Sequence, residues 1–227
     1  MGQLLLVRHG QASWGTEDYD VLSPLGWEQS RMLGVALAAR GLKPDVLVQG
    51  SMRRHRETAE ATIEAAGWSG VDVVDDDGWN EFDHLGMLAS VPSPEEGRDL
   101  TRAEFQTWFE RATGRWTSGE FDGDYQESFP AFAARVDAAL QRTMDRVGSS
   151  GTAVVFTSGG PVSLAASGLL ATVAPDLTAA SYAGIWGQLN KVVVNSSVTK
   201  VVVGGRGATL VSFNEHCHLE GDGLTYR

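Results

Sequence analysis

The 227-residue chain has a single cysteine, Cys217, which excludes an intramolecular disulfide as a staple of the fold. No cluster of Cys and His has zinc spacing, and a reducing cytoplasm is the expected setting. No apolar run approaches the length of a membrane span, and Met1 to Val7 lacks both the basic start and the apolar length of a secretion signal. Leu6 stands where an N-myristoylation motif opening at Gly2 wants serine or threonine, so no lipid anchor is expected. Positive charge is also scarce: 18 Lys and Arg face 29 Asp and Glu, a formal net charge of -11. Diffuse attraction to nucleic acid or anionic lipid is therefore not expected, and any phosphate chemistry must rest on a local cationic pocket. Neither an internal repeat nor a low-complexity linker divides the chain, and one domain over residues 1–227 is expected.

What the chain does contain is an alternation of short apolar runs with helical repeats. Leu4 to Val7 reads as a buried strand ending at Arg8, His9 and Gly10. Ser23 as N-cap and Pro24 at the first helical position open an amphipathic helix carried by Leu25, Met32, Leu33, Ala36 and Leu37 and stopped by Gly41 and Pro44. Asp45 to Gln49 then predicts a strand, Met52 to Ala66 a helix ended by Gly67, and Val71 to Val74 a third strand. From Ser93 to Val147 the pattern is helical, with Ser93-Pro94-Glu95-Glu96 as a capping box and helices over Thr101 to Thr113 and Phe129 to Val147. Thr152 to Thr157 predicts a fourth strand and Val162 to Leu170 a helix. Lys191 to Asn195, Val198 to Val203 and Ala208 to Phe213 predict closing β structure, with Gly204-Gly205-Arg206-Gly207 as the last turn. Such alternation implies an α/β fold: a three-layer, doubly wound, mostly parallel sheet with helices on both faces and a helical cap insertion at 93–147.

In open α/β sheets ligands gather beyond the carboxyl ends of the strands, which is where Arg8, His9 and Gly10 fall. An imidazole there can attack an electrophile, and a guanidinium fork suits a phosphate. Ser51 as an N-cap would place Arg54 in a first helical turn, where backbone N–H groups favour an anion, while Arg53 and Arg56 read as a solvated face. Glu81 lies in Trp79-Asn80-Glu81-Phe82-Asp83, where aromatic neighbours can exclude water and raise a carboxyl pKa; Asp83 competes for the same acid role. Gln11 is placed to hydrogen-bond a phosphate oxygen, and Trp14 to cover the loop. His216 and His218 would share one face of a strand, yet two ligands without a third make no metal site, and Asp75-Asp76-Asp77-Gly78 reads as a solvated turn.

Arg8-His9-Gly10, Leu22-Ser23-Pro24-Leu25-Gly26 with Gln29, Gly50 to Ala59, Asn80-Glu81, Asn195 to Thr199 and Asn214 to Leu219 run in order from one end of the chain to the other. In that order they resemble the segments of the histidine phosphatase superfamily, which includes the phosphoglycerate mutase-like enzymes. The resemblance implies cytoplasmic, metal-independent hydrolysis of a small phosphomonoester without a cofactor. It makes His9 the nucleophile that carries the phosphoryl group, Arg8 and Arg54 its binding cations, and Glu81 the acid for the leaving alcohol. Two positions depart from the family. In Val154-Val155-Phe156-Thr157-Ser158-Gly159-Gly160, Ser158 holds the place of the second histidine, and Gly15 stands where an asparagine is common. The Ser158 hydroxyl, with the N–H groups of Gly159 and Gly160, is the candidate substitute; as a nucleophile Ser158 lacks an evident partner base. The rival reading is a phospho-ligand-binding or regulatory protein whose turnover went with that histidine. A phosphoglycerate mutase ranks below both, because the stretch after Gly10 lacks the longer mutase loop pattern. A small phosphorylated substrate is the expected partner, with no nucleic acid or membrane, and oligomeric state is left open.

Overall fold

The computed structural model describes residues 1–13, 20–94, 100–174 and 176–226, with Arg102 by its backbone alone. Leu4 to Val7 is apolar at four consecutive positions because its strand, β1 (Gly2–Arg8), is covered on both faces. Leu4 and Leu6 pack with Ala153, Val155, Phe132 and Val136 on one face, while Leu5 and Val7 pack with Leu33, Leu37, Val154 and Phe156 on the other. Each such side chain contributes about 1.5–3 kcal/mol of burial free energy. Two cores back to back make the three-layer arrangement, with the sheet between them.

The elements that follow are α1 (Pro24–Ala39), β2 (Val46–Gln49), α2 (Arg53–Ala66), β3 (Val73–Asp75), α3 (His84–Ala89), α4 (Arg102–Thr117), α5 (Phe129–Val147), β4 (Thr152–Thr157), α6 (Gly159–Ala171), α7 (Ala179–Asn190), β5 (Val198–Gly204) and β6 (Gly207–Glu215). Among the described residues six strands are ordered β3-β2-β4-β1-β5-β6. The first four run parallel, and β5 and β6 are antiparallel additions at one edge. Leu6 pairs with Val155 of β4 on one side and with Thr199 of β5 on the other. Helices α1 and α2 cover one face, and α5 and α6 cover the other. Among the described residues no helix is long and apolar enough to cross a membrane.

Local chemistry accounts for several boundaries. Ser23 caps α1 by accepting the Gly26 N–H at 3.0 Å, with Pro24 following it. Gly67 ends α2 in the left-handed conformation at φ 68°. Where the sequence places a capping box at Ser93, Glu95 and Glu96 lie outside the described residues; a capping box does open α4, built from Thr101 and Glu104. Of the stretch 93–147, α4 adds Ala112 and Trp116 to the core on this face, and α5 packs on the sheet through Phe132, Val136, Ala139 and Leu140.

Three readings need correction. Lys191 to Asn195 is not a strand: Val193 and Val194 are fully buried, but side chains replace the ladder. Asn214 accepts the Val194 N–H at 2.8 Å and donates to the Val192 carbonyl at 2.7 Å. His216 and His218 share no strand face either, since β6 ends at Glu215; His218 Nε2 instead sits 3.1 Å from the Ser196 carbonyl. The Asp75–Asp77 turn is only partly solvated. Asp76 caps a single 3₁₀ turn at Asp77–Trp79 and takes a bidentate pair from Arg142 at 3.0 and 2.7 Å.

Candidate active site

Because β1 to β4 run parallel, the segments leaving their carboxyl ends meet on one edge of the sheet. Strand β1 delivers Arg8 and His9, β2 is followed by Arg54, β3 by Glu81, and β4 by Ser158 and Gly159. Arg8, His9, Arg54, Glu81 and Gly159 all line one cavity of about 930 Å³, walled by Phe105 and Phe109 of α4 and by Trp186 of α7.

His9 is 4% exposed and held at both ends of the residue. Its N–H donates to the Thr157 carbonyl at 2.8 Å, and its own carbonyl accepts from Asn195 Nδ2 at 3.1 Å. Nδ1 lies 2.7 Å from the Gly10 carbonyl. A carbonyl can only accept, so Nδ1 carries the proton and Nε2 is left with its lone pair. Burial, then the positive charges of Arg54 and Arg8, hold the ring well below the ordinary imidazole range, with His55 adding to them and the Gly10 contact opposing. A neutral imidazole with Nε2 unprotonated is the nucleophilic form.

Arg54 is 3% exposed in the first turn of α2, and its Nη1 donates to Asp20 at 2.7 Å. The expected N-cap Ser51 is one residue early. Met52 holds that position without a side-chain bond, and Asp20 caps the helix from outside by accepting the Arg53 N–H at 2.8 Å. Ser51 instead exchanges two hydrogen bonds with Asn80, at 2.8 and 2.9 Å, which tie the end of β2 to the segment carrying Glu81. Arg8 is anchored by the carbonyls of Val193 and Tyr226. Arg53 and Arg56 point outward, toward Glu57 and Asp75.

Glu81 accepts the Phe82 N–H and the Gly160 N–H, both at 3.2 Å. Glycine at 160 leaves room for the carboxyl in this position, since a Cβ there would lie 2.0 Å from Glu81 Oε1. Burial raises the Glu81 pKa above the ordinary carboxyl value, and Arg54, the two backbone donors and Arg8 only partly offset it. Asp83 is committed elsewhere: it is exposed and caps α3 by accepting the Gly86 N–H at 2.9 Å.

Two expected phosphate contacts are placed differently. Gln11 turns toward α1, its Oε1 accepting the Ser23 hydroxyl at 2.8 Å, and it does not line the cavity. Ser158 is fully buried behind Gly159, with Oγ 2.7 Å from His55 Nε2, while Glu81 takes the Gly160 N–H. Of the expected Ser158, Gly159 and Gly160 donors, Ser158 and Gly160 are engaged by His55 and Glu81, and Gly159 lines the cavity. Trp14 and Gly15 lie outside the described residues. His55, which sequence reasoning missed, is wholly buried with its ring centroid 5.9 Å from that of His9. The available signal was helical: Arg54, His55, Thr58, Ala59 and Thr62 form the buried stripe of α2. Among the described residues no three His, Cys, Asp or Glu side chains are grouped to hold a metal ion.

Comparison with known proteins bears on this geometry. The model of the histidine phosphatase superfamily, branch 1, matches residues 4–216. The 2,3-bisphosphoglycerate-dependent phosphoglycerate mutase of Sinorhizobium fredii is 36% identical over 122 residues, 51% of this chain and 53% of that one. The enzyme of the same name from Thermobifida fusca is 36% identical over 112 residues, 46% of this chain and 42% of that one. The chain spans about half the length of the curated relatives it matches. Among solved structures, a phosphoserine phosphatase mutant of Entamoeba histolytica with phosphoserine has a TM-score of 0.67 at 18% identity, over 97% of this chain and 100% of that one. A mycobacterial glucosyl-3-phosphoglycerate phosphatase has a TM-score of 0.62 at 20% identity, over 96% and 100%. At those identities the likeness is one of fold.

Proposed function

The chain belongs to the histidine phosphatase superfamily, and from that premise we propose that it hydrolyses a phosphomonoester through a phosphohistidine on His9. The observation that carries this reading is the neutral His9, its proton pinned on Nδ1 by Gly10, in one cavity with two arginines and a carboxyl of raised pKa. In the first step the P–O bond to the alcohol breaks as a P–N bond forms at His9 Nε2, and the departing alkoxide takes its proton from Glu81. In the second, water attacks phosphorus, Glu81 recovers a proton from it, and orthophosphate leaves with His9 restored. Arg8 and Arg54 neutralise the charge on the oxygens of the transferring group.

The walls argue for the kind of alcohol. A cavity of about 930 Å³ is at the large end for a small-molecule site, and Phe82, Phe105, Phe109 and Trp186 face it. Among the described residues Arg8 and Arg54 are the arginines that line it, and Lys191, also on the lining, lies 3.8 Å from Glu110. Among the described residues this favours a monophosphate with an apolar body over a doubly phosphorylated or carboxylated glycerol.

Phosphoglycerate mutase is nonetheless the name of the sequence relatives, and Ser158 in place of a histidine favours a ligand-binding protein with weak turnover. One screen separates the three. Phosphorylated metabolites, apolar alkyl and aryl phosphates, and 2- and 3-phosphoglycerate are offered to wild type and to His9→Ala. Phosphate release that depends on His9 and rises with apolar substituents is the expected result. Interconversion of the glycerates would establish the mutase, and phosphate binding without turnover of any compound would establish the binding protein.

A further inference from the structure

The cavity that holds His9 extends well beyond the room a phosphoryl group needs, and it does so in one direction. Its base meets the C-terminal end of α7: a Cβ on Gly159 would lie 3.1 Å from Asn190 Oδ1 and 3.5 Å from Arg8 Nε. From Asn190 the lining runs back along α7 through Gly187, Gly184 and Ala183 to Ala180. At about 1.5 Å of rise per residue that course covers about 15 Å. Helix α4 runs the opposite way beside it, with Glu110 3.8 Å from Lys191 and the ring of Trp116 centred 5.8 Å from that of Trp186. Over the same stretch it lines the cavity with Thr113, Gly114, Thr117 and Ser118.

Two properties of these walls bear on what lies between them. Gly114, Gly184 and Gly187 sit inside helices, where glycine is among the poorest residues, yet a Cβ built on any of them meets no atom within 4 Å. No packing contact demands glycine there; what it keeps is width. The polar side chains are also already engaged. The hydroxyls of Thr113, Thr117 and Ser118 donate to the carbonyls of Phe109, Thr113 and Arg115 in their own helix, at 2.8, 2.9 and 2.8 Å. Trp186 gives its indole N–H to the Gly160 carbonyl at 3.1 Å. Such walls offer mainly apolar contact, from which a hydrocarbon gains and a polyol does not. We propose that the substrate is a phosphate monoester of an extended hydrocarbon chain, a monomeric alkyl phosphate lying between α4 and α7, and that Gly184 and Gly187 set the chain length the site accepts. A length of about 15 Å takes roughly twelve carbons, at about 1.5 Å per bond laid out in a zigzag. The inference rests on phosphoryl transfer to His9 for the place of the phosphate and adds the identity of the alcohol.

The test is calorimetric binding of n-alkyl phosphates of two to twelve carbons, below their micelle concentrations, to His9→Ala, together with kcat/KM of the same series on wild type. A fully buried methylene is worth about fourfold, so in a groove open along one side each should add about two- to fourfold to affinity and to kcat/KM, up to about twelve carbons. A polyether monophosphate of equal length should show no such gain. Gly187 lies about 4.5 Å along the helix from Asn190 and Gly184 about 9 Å, so the gain should stop at about four carbons in Gly187→Leu and at about seven in Gly184→Leu. Thermal midpoints of both should hold or rise, because leucine favours the helix and meets no neighbour. Should either variant fail to fold, the wild-type series and the polyether comparison decide. Affinity that is flat beyond four carbons, an equal gain from the polyether, or stopping points in folded variants that coincide or reverse each overturn the inference. They leave the His9 reading standing where phosphate release from the shortest ester depends on His9. No His9-dependent release from any ester overturns that reading itself.

Discussion

Gly160→Ala is the substitution whose consequence the structure defines most narrowly. A methyl at that position would lie 2.0 Å from Glu81 Oε1 and 3.1 Å from a Phe82 ring carbon. Non-bonded heavy atoms rest at roughly 3.5 Å or more, so the flexible carboxyl has to retreat by more than about 1 Å. The 3.2 Å hydrogen bonds from Gly160 and Phe82 that hold it do not both survive such a shift. A misplacement of about 1 Å in a reacting group costs about 10²-fold, or about 2.7 kcal/mol of barrier. The loss should fall on substrates whose alcohol needs a proton to leave. An alkyl phosphate should be hydrolysed about 10²-fold more slowly, while an aryl phosphate with an acidic phenol slows by less than about tenfold. Glu81→Gln should show the same split, and the double variant no more than the larger single loss. The assay is kcat/KM on the two substrates for the four proteins, with thermal midpoints to show that the fold is kept. Equal slowing of alkyl and aryl substrates would refute the acid role of Glu81 and its placement by Gly160.

Other perturbations test separate parts. Arg54→Ala should cost about 10²- to 10³-fold with little dependence on the leaving group, because it acts on the phosphoryl charge; a strong dependence would contradict that. The alkaline limb of the rate profile belongs to Glu81, whose raised pKa must keep it protonated: activity falls as pH rises through that value, and the limb disappears in Glu81→Gln. Removing Arg54, which favours the carboxylate, should move this limb to higher pH, and movement the other way would contradict the assignment. The acid limb, set by protonation of His9, should lie below the ordinary imidazole range, because burial and the arginines disfavour the charged ring. Ser23→Ala removes the acceptor for the Gly26 N–H and the donor to Gln11 and should cost about 1 kcal/mol. For a chain of this size that is roughly 2–4 °C in Tm by calorimetry, and an unchanged midpoint would show that the cap contributes nothing.

The parts of the fold legible in the sequence are those where one periodicity and its caps agree. Phe129 to Val147 and Thr152 to Thr157 match their observed bounds, because the first keeps a helical apolar stripe after Ser128 and the second carries the apolar run Ala153 to Phe156 and is buried throughout. Helix α7 was missed because Gly184 and Gly187 interrupt its pattern, although Thr178 caps it. Lys191 to Asn195 looked like a strand because its valines are buried; that Asn214 would supply its backbone partners is a contact 20 residues distant and invisible to local pattern. At the site, Arg8 and His9 are legible at the end of a strand, and Arg54 and Glu81 are singled out by the family resemblance. Gln11 and Ser158 show the limit: sequence places a polar residue near the site, but which neighbour its side chain chooses depends on Ser23 and His55, brought there by tertiary packing.

Phosphate transfer to His9 is tested most directly by rapid alkaline quench of a single turnover, conditions that spare phosphohistidine, followed by peptide mapping. Label should appear on the peptide carrying His9, should build up before free phosphate is released, and should be absent in His9→Ala. Label on a serine instead, or none during measurable turnover in a trap shown to retain phosphohistidine, would contradict the mechanism.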